Sequence, residues 1–400
     1  MREQLSVEEY IEELLRLVAL DDRVESVPVA DSLGRVLAQE VESSVSIPVF
    51  DNSAMDGYAV RWADVTAVPA RLRVVGDVPA GSDADPEAAP GECVRIMTGA
   101  ALPTFADTVV PVEQTETVGG DVVVLEAPLR RGAHVRRAGE DVGRGAVVAR
   151  AGTTITPGVA GAVAAAGMEQ VGVRPFPVVS VCVTGDELVR GGVLKRGQIY
   201  ESNGIAVAGS LARLGATVDR TDLVGDRPEQ LVDWLDAVAP TADLIVLTGG
   251  ASVGAYDVVR DVIAGAGGVF RHVRIQPGKP QGWGLWGGKP VICLPGNPVS
   301  AVVSTEIFVR PMLDRILGRP GSSWHTGVAG SDWTSPSGRR QVLPVALRTD
   351  GSGRLVAVPA HAGGSGSHLV TSLAGADGYA MVPEETTAVH AGDLLSVRWL

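Results

Sequence analysis

Glycine, serine and polar residues follow two apolar, strand-like segments in the second half of the 400-residue chain. The segment DLIVL runs into Thr248-Gly249-Gly250-Ala251-Ser252-Val253-Gly254, and PVICL runs into Pro295-Gly296-Asn297-Pro298-Val299-Ser300. Glycines let the backbone approach a ligand, and a helix that begins after such a loop offers free N–H groups to a phosphate. Either loop alone is also typical of a tight strand-to-helix turn. Two such loops at strand ends predict one shared site for an oxyanion and a nucleotide.

Acidic residues also follow strand-like segments. Glu187 belongs to the loop Thr184-Gly185-Asp186-Glu187-Leu188, while Asp226 and Asp257 come after other strand-like segments or in their loops. Mg²⁺ in proteins is commonly held between one or two carboxylates and substrate phosphates. For any single residue, a helix cap or a solvated loop is the simpler interpretation. The group predicts a magnesium site, and alanine at Asp257 is expected to remove activity while leaving the fold intact.

One lysine lies in a stiffened loop. Lys279 is part of Gln276-Pro277-Gly278-Lys279-Pro280, where two prolines restrict the backbone and fix the position of the ammonium group. An acidic protein that binds an anion needs a local cation, although a lysine in such a loop is also commonly just exposed. The predicted nucleotide-binding residues of the neighbouring loops are Thr184, Gly185, Gly249, Gly250, Ser252, Gly254, Pro295, Gly296 and Asn297.

Other patterns are less informative. FDNSAMDGYA, from Phe50 to Ala59, is compatible with an Asx turn at a domain junction. GWGLWG, from Gly282 to Gly287, has the glycine spacing of a dinucleotide-binding loop, but it opens no predicted helix and no ribose-binding acid lies in the right context. The chain contains no Gly-x-x-x-x-Gly-Lys-Ser/Thr loop, and its six histidines have no metal-ligand spacing. These patterns argue against a Walker-type nucleoside triphosphatase and a histidine metal centre.

Strands and helices alternate between Phe176 and Leu317, where the polar loops occur. Apolar runs at 178–183, 244–247 and 291–294 are each followed by a helical pattern, at 202–214, 258–264 and 299–313. This alternation predicts a doubly wound parallel sheet with helices on both faces.

The rest of the chain predicts further elements. Ser6 and Glu9 form a capping-box pattern before an amphipathic helix, and Thr156 to Gly167 has the proline-first, glycine-last pattern of another helix. Short β-rich pieces between Ser46 and Arg136 predict a small, mostly β domain. Strand-like runs at 341–347, 355–358, 379–382 and 394–399 predict a small C-terminal β domain.

Composition narrows the class of protein. The formal net charge is -13 and no basic block is present, which argues against a broad nucleic-acid surface. Cys93, Cys182 and Cys293 lie far apart without Cys-x-x-Cys spacing, as expected for reduced thiols in the cytoplasm. The N-terminus lacks a signal-type apolar core, and no apolar stretch is long enough to span a bilayer. We expect a soluble cytoplasmic protein without a membrane partner.

Eight motifs follow one another along nearly the whole chain. They are FDNSAMDGYAV (50–60), RIMTGA (95–100), RRAGEDV (136–142), TGDEL (184–188), TGGASVG (248–254), PGKP (277–280), LPGNPVSA (294–301) and GSHLVTS (366–372). In sequence and order they resemble the MoeA and gephyrin E-domain family of molybdopterin molybdenumtransferases.

The resemblance implies an elongated homodimer and a multidomain α/β and β fold. Its four predicted parts are a discontinuous helical linker domain (1–45 and 137–175), an inserted β-rich domain (46–136), a central doubly wound α/β molybdopterin-binding domain (176–318) and a small C-terminal β barrel (319–400).

The resemblance also implies a transferase of molybdenum cofactor biosynthesis. Such an enzyme inserts molybdate into adenylylated molybdopterin, with Mg²⁺-dependent cleavage of the pyrophosphate and release of AMP. Glu187, Asp226 and Asp257 would form the acidic cluster at the nucleotide and Mg²⁺. Transient contact with the molybdopterin adenylyltransferase is a further expectation.

Two more groups of residues match functional positions of the family. Asp56, Thr98 and Asp141 match positions that the family brings to the cleft from the partner subunit, so dimerisation would be part of catalysis. The predicted molybdate ligands are Lys279, Pro280, Ser300, Arg340 and Ser367, which would supply donors to a tetrahedral dianion.

The chain departs from the family pattern at two places. Gln276 stands where a lysine is common, so one positive charge is absent near the predicted anion site. The likeness is loose before Gly366, which leaves Arg339 as an alternative to Arg340.

The sequence argues against two other functions. The related molybdopterin adenylyltransferase resembles the α/β domain alone, so the flanking β domains and the segment from Asn52 to Ala59 argue against it. A non-catalytic, gephyrin-like scaffold would have an extra domain and a long linker, neither of which is recognisable in this sequence, and the retained acidic and lysine positions favour an enzyme.

Overall fold

The computed structural model describes residues 4–249 and 257–400. The chain forms two compact units: the first combines the chain up to Glu25 with Arg174–Leu400, and the second is Ser26–Val173. The four domain ranges predicted from the sequence stay a prediction.

The second unit is built mainly from short strands. The elements up to residue 173 are α1 (Val7–Leu15), β1 (Glu25–Pro28), β2 (Val41–Glu42), β3 (Asn52–Ser53), β4 (Gly57–Val60), β5 (Ala70–Val78), β6 (Glu92–Ile96), β7 (Thr108–Pro111), β8 (Thr115–Val118), β9 (Asp121–Val124), β10 (Val135–Arg136), β11 (Val147–Ala149), α2 (Pro157–Ala165) and β12 (Gln170–Val173). A six-stranded sheet has the order β7-β4-β6-β5-β9-β8 and lies within the range predicted to be β-rich. The Thr156 side chain caps α2 by accepting from the Val159 N–H at 3.3 Å.

An α/β region follows. Its elements are β13 (Val178–Thr184), β14 (Leu188–Val189), β15 (Ile199–Tyr200), α3 (Asn203–Arg213), β16 (Thr217–Val224), α4 (Pro228–Val238), β17 (Leu244–Thr248), α5 (Val258–Gly265), β18 (Val269–His272), β19 (Ile275–Gln276), β20 (Pro280–Trp286), β21 (Lys289–Leu294), α6 (Pro298–Ser304), a π-helical turn (Thr305–Val309) and α7 (Arg310–Leu317). The sheet order is β16-β13-β17-β21-β20-β18.

The central strands are apolar throughout because both faces of the sheet are covered. In β17, Leu244 and Val246 join the core beneath α1, α3, α6 and α7, while Ile245 and Leu247 join the core beneath α4 and α5. Successive strand residues point to opposite faces, so a strand buried on both sides needs a continuous hydrophobic run. The doubly wound arrangement predicted from the alternating pattern is therefore present.

One strand, β20, runs against the parallel direction, and the edge strand β18 beyond it runs parallel to the core again. β20 pairs antiparallel with β21 and with β18. The segment Gly282 to Gly287, whose glycine spacing resembles that of a dinucleotide-binding loop, lies mostly within β20 and opens no helix. The sheet is thus mixed, with a hairpin added to a parallel core.

Helix α1 packs on the α/β core. The Ser6 hydroxyl accepts from the Glu9 N–H at 3.1 Å, and the Glu9 carboxylate accepts from the Ser6 N–H at 2.6 Å, which confirms the capping box. Tyr10 is fully buried, and its ring meets Phe308 edge-on with centroids 5.0 Å apart. The amphipathic pattern therefore fixes α1 against the π-helical turn.

The C-terminal strands form a closed barrel. The elements are β22 (His325–Ala329), β23 (Trp333–Thr334), β24 (Arg340–Thr349), β25 (Leu355–Pro359), α8 (Thr371–Ala374), β26 (Gly378–Val382), β27 (Ala388–Val389) and β28 (Leu394–Trp399). The order β24-β25-β22-β28-β26 closes through a further pairing of β26 with β24. β19 adds to β24 from the α/β region, with Gln276 opposite Gln341.

The cysteines are buried and unpaired, as the sequence predicts. Cys93, Cys182 and Cys293 are buried and free of disulfides, and burial raises the pKa of the Cys93 and Cys182 thiols to about 12. Within residues 4–249 and 257–400, no helix has both the length and the apolar content needed to cross a membrane.

Candidate active site

Loops from four strands of the α/β sheet meet at one edge. β13, β17 and β21 are neighbouring parallel strands in which Val183 pairs with Thr248 and Thr248 pairs with Leu294. β16 flanks them, with Val224 opposite Thr184. Since parallel strands end at the same edge, the loops that follow Thr184, Val224, Thr248 and Leu294 lie side by side.

Asn203, the first residue of α3, ties two of these loops together. Its side-chain amide donates to the Gly296 carbonyl at 2.7 Å and to the Thr248 hydroxyl at 3.2 Å. The Thr248 hydroxyl in turn donates to the Pro295 carbonyl at 3.2 Å. Both side chains are buried, so water competes little for these bonds and the loop positions are fixed before a ligand arrives.

The loops surround a cavity of about 760 Å³, a size that accommodates a ligand larger than a single anion. The sequence-predicted residues that line it are Thr184, Gly185, Glu187, Asp226, Gly249, Asp257, Lys279, Pro280, Pro295, Gly296, Asn297, Ser300 and Ser367. The predicted positions Gly250, Ser252 and Gly254 lie outside the residues that the structure describes.

The cavity is acidic despite its predicted role with anions. Among the described lining residues, four carboxylates, Glu187, Glu201, Asp226 and Asp257, face a single cation, Lys279. A phosphate-bearing ligand in such a cavity would be repelled unless a cation accompanied it.

Glu187 and Asp226 lie on neighbouring loops that are bonded to each other. The Asp226 carboxylate accepts from the Asp186 N–H at 3.2 Å, and the Asp226 N–H donates to the Asp186 carboxylate at 3.1 Å. A Cβ added at Gly185 would lie 2.7 Å from a Glu187 carboxylate oxygen, so the Glu187 side chain folds back over this glycine. The pair of loops therefore presents two fixed carboxylates to the cavity.

The expectation that Asp257 is a loop carboxylate without a structural role needs correction. Asp257 is only 4% exposed, and its side chain caps α5 by accepting from the Arg260 N–H at 3.1 Å. Loss of such a cap typically costs about 1 kcal/mol. Alanine at this position should therefore lower stability as well as remove a cavity carboxylate.

The backbone around Lys279 is held by more than its prolines. The fully buried Gln281 donates to the Gly278 carbonyl at 2.7 Å and to the Ser304 hydroxyl at 2.7 Å. The Lys279 carbonyl accepts from the Val273 N–H at 2.9 Å. These bonds fix the point from which the lysine side chain extends.

On the opposite wall, Gly249 approaches the end of β13 closely. Its φ is +99°, and an added Cβ would lie 2.5 Å from the Thr184 carbonyl oxygen, so only glycine fits. The buried Thr184 hydroxyl has no hydrogen-bond partner among the described residues. It is an unused polar group at the cavity wall.

The two candidate arginines point to different places. The Arg340 guanidinium forms an ion pair with Glu8 and does not line the cavity. Arg339 instead donates to the Gln276 side-chain oxygen at 3.0 Å, and Gln276 lines the cavity. Successive residues at the start of a strand face opposite sides, which explains the split. Arg339 is thus the better placed of the two.

Ser367 reaches the same cavity from the C-terminal region. Its hydroxyl accepts from the Asn297 side-chain amide at 3.0 Å, and its carbonyl accepts from the Val299 N–H at 3.2 Å. The loop around residue 367 is therefore attached to the start of α6.

Asp56 and Thr98 come together in the second unit. The exposed Asp56 carboxylate accepts from both the Thr98 N–H and the Thr98 hydroxyl, each at 2.7 Å, and these bonds lower the pKa of Asp56. The neighbouring Gly57 packs against the Val110 carbonyl too tightly for a side chain. Asp141 is exposed and forms no side-chain hydrogen bond with either residue.

Among the lining residues that were not predicted are Tyr200, Glu201 and Asn203. Tyr200 ends β15, which is only two residues long and gives almost no strand pattern, and Glu201 and Asn203 come directly after it. Acidic and polar residues follow Ile199 and Tyr200 just before helix α3, which is the same arrangement as in the predicted loops. This arrangement was the one signal in the sequence that could have identified these lining residues.

The predicted magnesium site would rely on the carboxylates of the cavity. Among residues 4–249 and 257–400, no group of three His, Cys, Asp or Glu side chains is placed to hold a metal ion together. Magnesium often takes only one or two protein carboxylates and completes its shell with phosphate oxygens and water. The hard oxygen donors of the cavity fit that pattern.

Family models match the chain from end to end. Residues 5–167 match the MoeA N-terminal region (domain I and II), residues 180–315 match a probable molybdopterin binding domain, and residues 326–399 match the MoeA C-terminal region (domain IV). Molybdopterin molybdenumtransferase 2 of Mycobacterium tuberculosis is 41% identical over 93% of this chain and 94% of its own length. The chain belongs to the MoeA family. Molybdopterin molybdenumtransferase of Haemophilus influenzae is 31% identical over 98% of both chains.

Solved structures agree with the MoeA assignment. A molybdopterin biosynthesis MoeA protein from Pyrococcus horikoshii is 33% identical, covers 99% of both chains and gives a TM-score of 0.79. A further crystal structure from that organism covers both chains completely with a TM-score of 0.86 at 26% identity. The predictions of a MoeA-like multidomain fold and of a transferase in molybdenum cofactor biosynthesis are confirmed.

Proposed function

We propose that this MoeA-family chain inserts molybdate into adenylylated molybdopterin, cleaving the pyrophosphate and releasing AMP. The observation that carries the proposal is the cavity itself, where loops after neighbouring parallel strands present Glu187, Asp226 and Asp257. Glu201 and Lys279 are added by adjoining segments. A site with separate positions for a phosphate-bound cation and for a free oxyanion suits a substrate pair of a nucleotide conjugate and molybdate.

The cavity residues would act by holding charges in place. Lys279 and the Ser300 and Ser367 hydroxyls are donors suited to molybdate, and the Thr184 hydroxyl is a free polar group for the nucleotide part. Two dithiolene thiols displace one molybdate oxygen as water, and water cleaves the pyrophosphate to give AMP and the pterin monophosphate. Orientation of the reactants by fixed loops lowers the barrier without a general base.

Mg²⁺ fits the acidic side of the cavity. Glu187, Asp226 and Asp257 are the residues that would hold it, together with phosphate oxygens of the nucleotide. When bound, Mg²⁺ supplies positive charge that neutralises the pyrophosphate as it breaks. The four carboxylates otherwise leave the substrate phosphates unbalanced.

The test is AMP release from adenylylated molybdopterin by the purified chain with Mg²⁺, in the presence and absence of molybdate. Release that depends on both, with a molybdenum-loaded product, is expected. Tight binding without release would indicate a scaffold. Formation of the adenylylated compound from ATP and molybdopterin would indicate an adenylyltransferase.

The proposal includes a homodimer with a shared active site. Asp56, Thr98 and Asp141 would be supplied to each cavity by the partner copy, and the exposed, ionised Asp56 held by Thr98 is suited to such a contact. Mixing and reassembling two inactive preparations, Asp56→Ala and Lys279→Met, should then restore about a quarter of the parent activity. About half of the dimers would be mixed, and each mixed dimer would have one intact site out of two. No recovery, with reassembly verified by mass, would contradict shared sites.

Cellular context completes the proposal. The enzyme would act in the cytoplasm and receive its substrate by transient contact with the molybdopterin adenylyltransferase. The buried, unbridged cysteines suit a reducing compartment. Fractionation of cells and crosslinking to the adenylyltransferase would test both statements.

Arg339 and Arg340 form a matched pair for locating the anion site. Arg339→Ala is expected to raise the KM for molybdate about tenfold, because Arg339 lies beside the cavity-lining Gln276 and supplies positive charge there. Arg340→Ala should change that KM less than about twofold, since Arg340 pairs with Glu8 elsewhere. Steady-state kinetics at varied molybdate would measure both, and the reverse order of effects would return Arg340 to the molybdate site.

A further inference from the structure

A second cavity, of about 480 Å³, lies on the first unit and shares no lining residue with the proposed active site. Its apolar wall comes from α1, through Val7, Ile11 and Leu15, and from Ile307 and Met381. The remaining wall is formed largely by side chains of α7 and of the C-terminal strands. Nothing in the proposed reaction uses this cavity.

Arginines dominate the polar wall. Five of them line the cavity, Arg310, Arg315, Arg319, Arg340 and Arg398, against two lining carboxylates, Glu8 and Asp314. Glu306, fully buried behind the wall, adds a third negative charge and pairs with Arg310 and Arg398. Even with Glu306 included, the cavity carries two excess positive charges, in a chain whose formal net charge is -13.

Structural ion pairs account for only part of this charge. Arg319 pairs with Asp314, Arg340 pairs with Glu8, and Arg310 bonds to Glu306 at 2.6 Å. Arg315, exposed in the last turn of α7, takes part in none of the ion pairs formed by the other four arginines. The helix dipole favours a cation at this position, and no carboxylate of the described residues forms an ion pair with it.

Arg398 adds a buried donor without an acceptor. Its side chain is 8% exposed, and its Nε has no hydrogen-bond partner among the described residues. The guanidinium lies 4.5 Å from the centroid of the Trp324 ring, which also lines the cavity. Burial and the neighbouring Arg310 lower the pKa of Arg398 to about 10. Because this Nε is itself inaccessible, Arg398 contributes positive charge to the cavity wall and not a free N–H donor.

We propose that this cavity binds an organic anion, with its phosphate or carboxylate group at Arg315 and Arg398 and an apolar body against α1 and Trp324. Excess positive charge selects the anionic group, because guanidinium groups match such oxyanions. The apolar wall selects an organic ligand over an inorganic ion. The site is separate from the proposed transferase site, so it does not depend on that function.

The test uses the full chain, with phenyl phosphate and inorganic phosphate as probes and the emission of Trp324 as the readout. Trp324→Phe identifies the part of the emission that belongs to this residue among the seven tryptophans. We expect saturable binding of phenyl phosphate, at least about threefold tighter than that of inorganic phosphate, because the phenyl group buries apolar surface.

Charge reversal at two exposed arginines provides the matched comparison. Arg315→Glu should weaken phenyl phosphate binding about tenfold or more, whereas Arg348→Glu, on β24 and outside the lining of either cavity, should change it less than about twofold. Lys279→Met should leave binding unchanged because Lys279 belongs to the other cavity.

Each other outcome would overturn the proposal. Equal weakening by the two charge reversals would indicate a general charge effect, and loss of binding in Lys279→Met would assign the probe to the active-site cavity. Equal affinity for phenyl phosphate and inorganic phosphate would mean that the apolar wall contributes nothing and that the cavity binds an adventitious ion only. No saturable change with either probe would mean that the arginines serve the fold alone.

Discussion

Replacing Lys279 by methionine is expected to lower molybdate-dependent AMP release about 100-fold or more, the usual effect of removing one fixed donor from an anion site. Lys279 is the one cation among the described lining residues of a cavity with four carboxylates. Without it, nothing in that lining offsets the repulsion between the carboxylates and a dianion. Initial rates at varied molybdate and fixed Mg²⁺ would measure the loss.

Lys289 provides the control because it occurs in the same local sequence. Gly278-Lys279-Pro280 and Gly288-Lys289-Pro290 each place lysine between glycine and proline, but only the first lines the cavity. Lys289→Met should keep the rate within about twofold of the parent, as surface substitutions usually do. Lys279→Arg should recover part of the lost rate. Full activity of Lys279→Met, or equal losses in both methionine variants, would reject the role of Lys279.

The site loops could be predicted because their position follows from local pattern. A run such as DLIVL is buried on both faces only in a parallel sheet covered by helices, and parallel strands end at one edge. Thr184, Thr248 and Pro295 could therefore be placed together from the sequence, and the structure brings all three to one edge. The hydrogen bonds by which Asn203 stabilises this edge could not be predicted from the sequence. They join Asn203 to Thr248 and Gly296, which lie 45 and 93 positions away along the chain.

The sequence pattern could not predict the orientation of residues that depends on pairing between strands far apart in the chain. The choice between Arg339 and Arg340 follows from β19 pairing with β24, where Gln276 lies opposite Gln341. Alternation along one strand shows that the two arginines face opposite sides, but not which side faces the cavity. The antiparallel strand β20 was missed for a related reason, because its glycines and tryptophans mask the pattern of a strand.

The α6 to α7 region shows how a buried charge can be hidden in an apolar pattern. The run 299–313 predicts one helix, but the structure inserts a π-helical turn at Thr305–Val309. Glu306 lies in that turn, 1% exposed, and is paired with Arg213, Arg310 and Arg398. Those partners lie on three different elements, so the local sequence around Glu306 does not reveal them. From the local sequence alone, a glutamate would be expected on the surface.

Asp257→Asn and Asp257→Ala should separate the two roles of this carboxylate. Asparagine caps a helix about as well as aspartate, so Asp257→Asn should keep the thermal midpoint of the first unit within about 1 °C while AMP release falls about 100-fold. Alanine removes both cap and charge. It should give the same loss of activity and lower the midpoint by about 2–4 °C, which corresponds to about 1 kcal/mol in a unit of this size.

Asp261 supplies the matched control one turn further along α5. Asp261→Asn makes the same change of charge on an exposed residue outside the cavity lining, and both activity and midpoint should remain close to those of the parent. A higher Mg²⁺ requirement in Asp257→Asn, but not in Asp261→Asn, would connect the lost activity to the metal and not to the fold. If Asp257→Asn retained activity, the negative charge would be dispensable and the helix cap would be the whole function of Asp257.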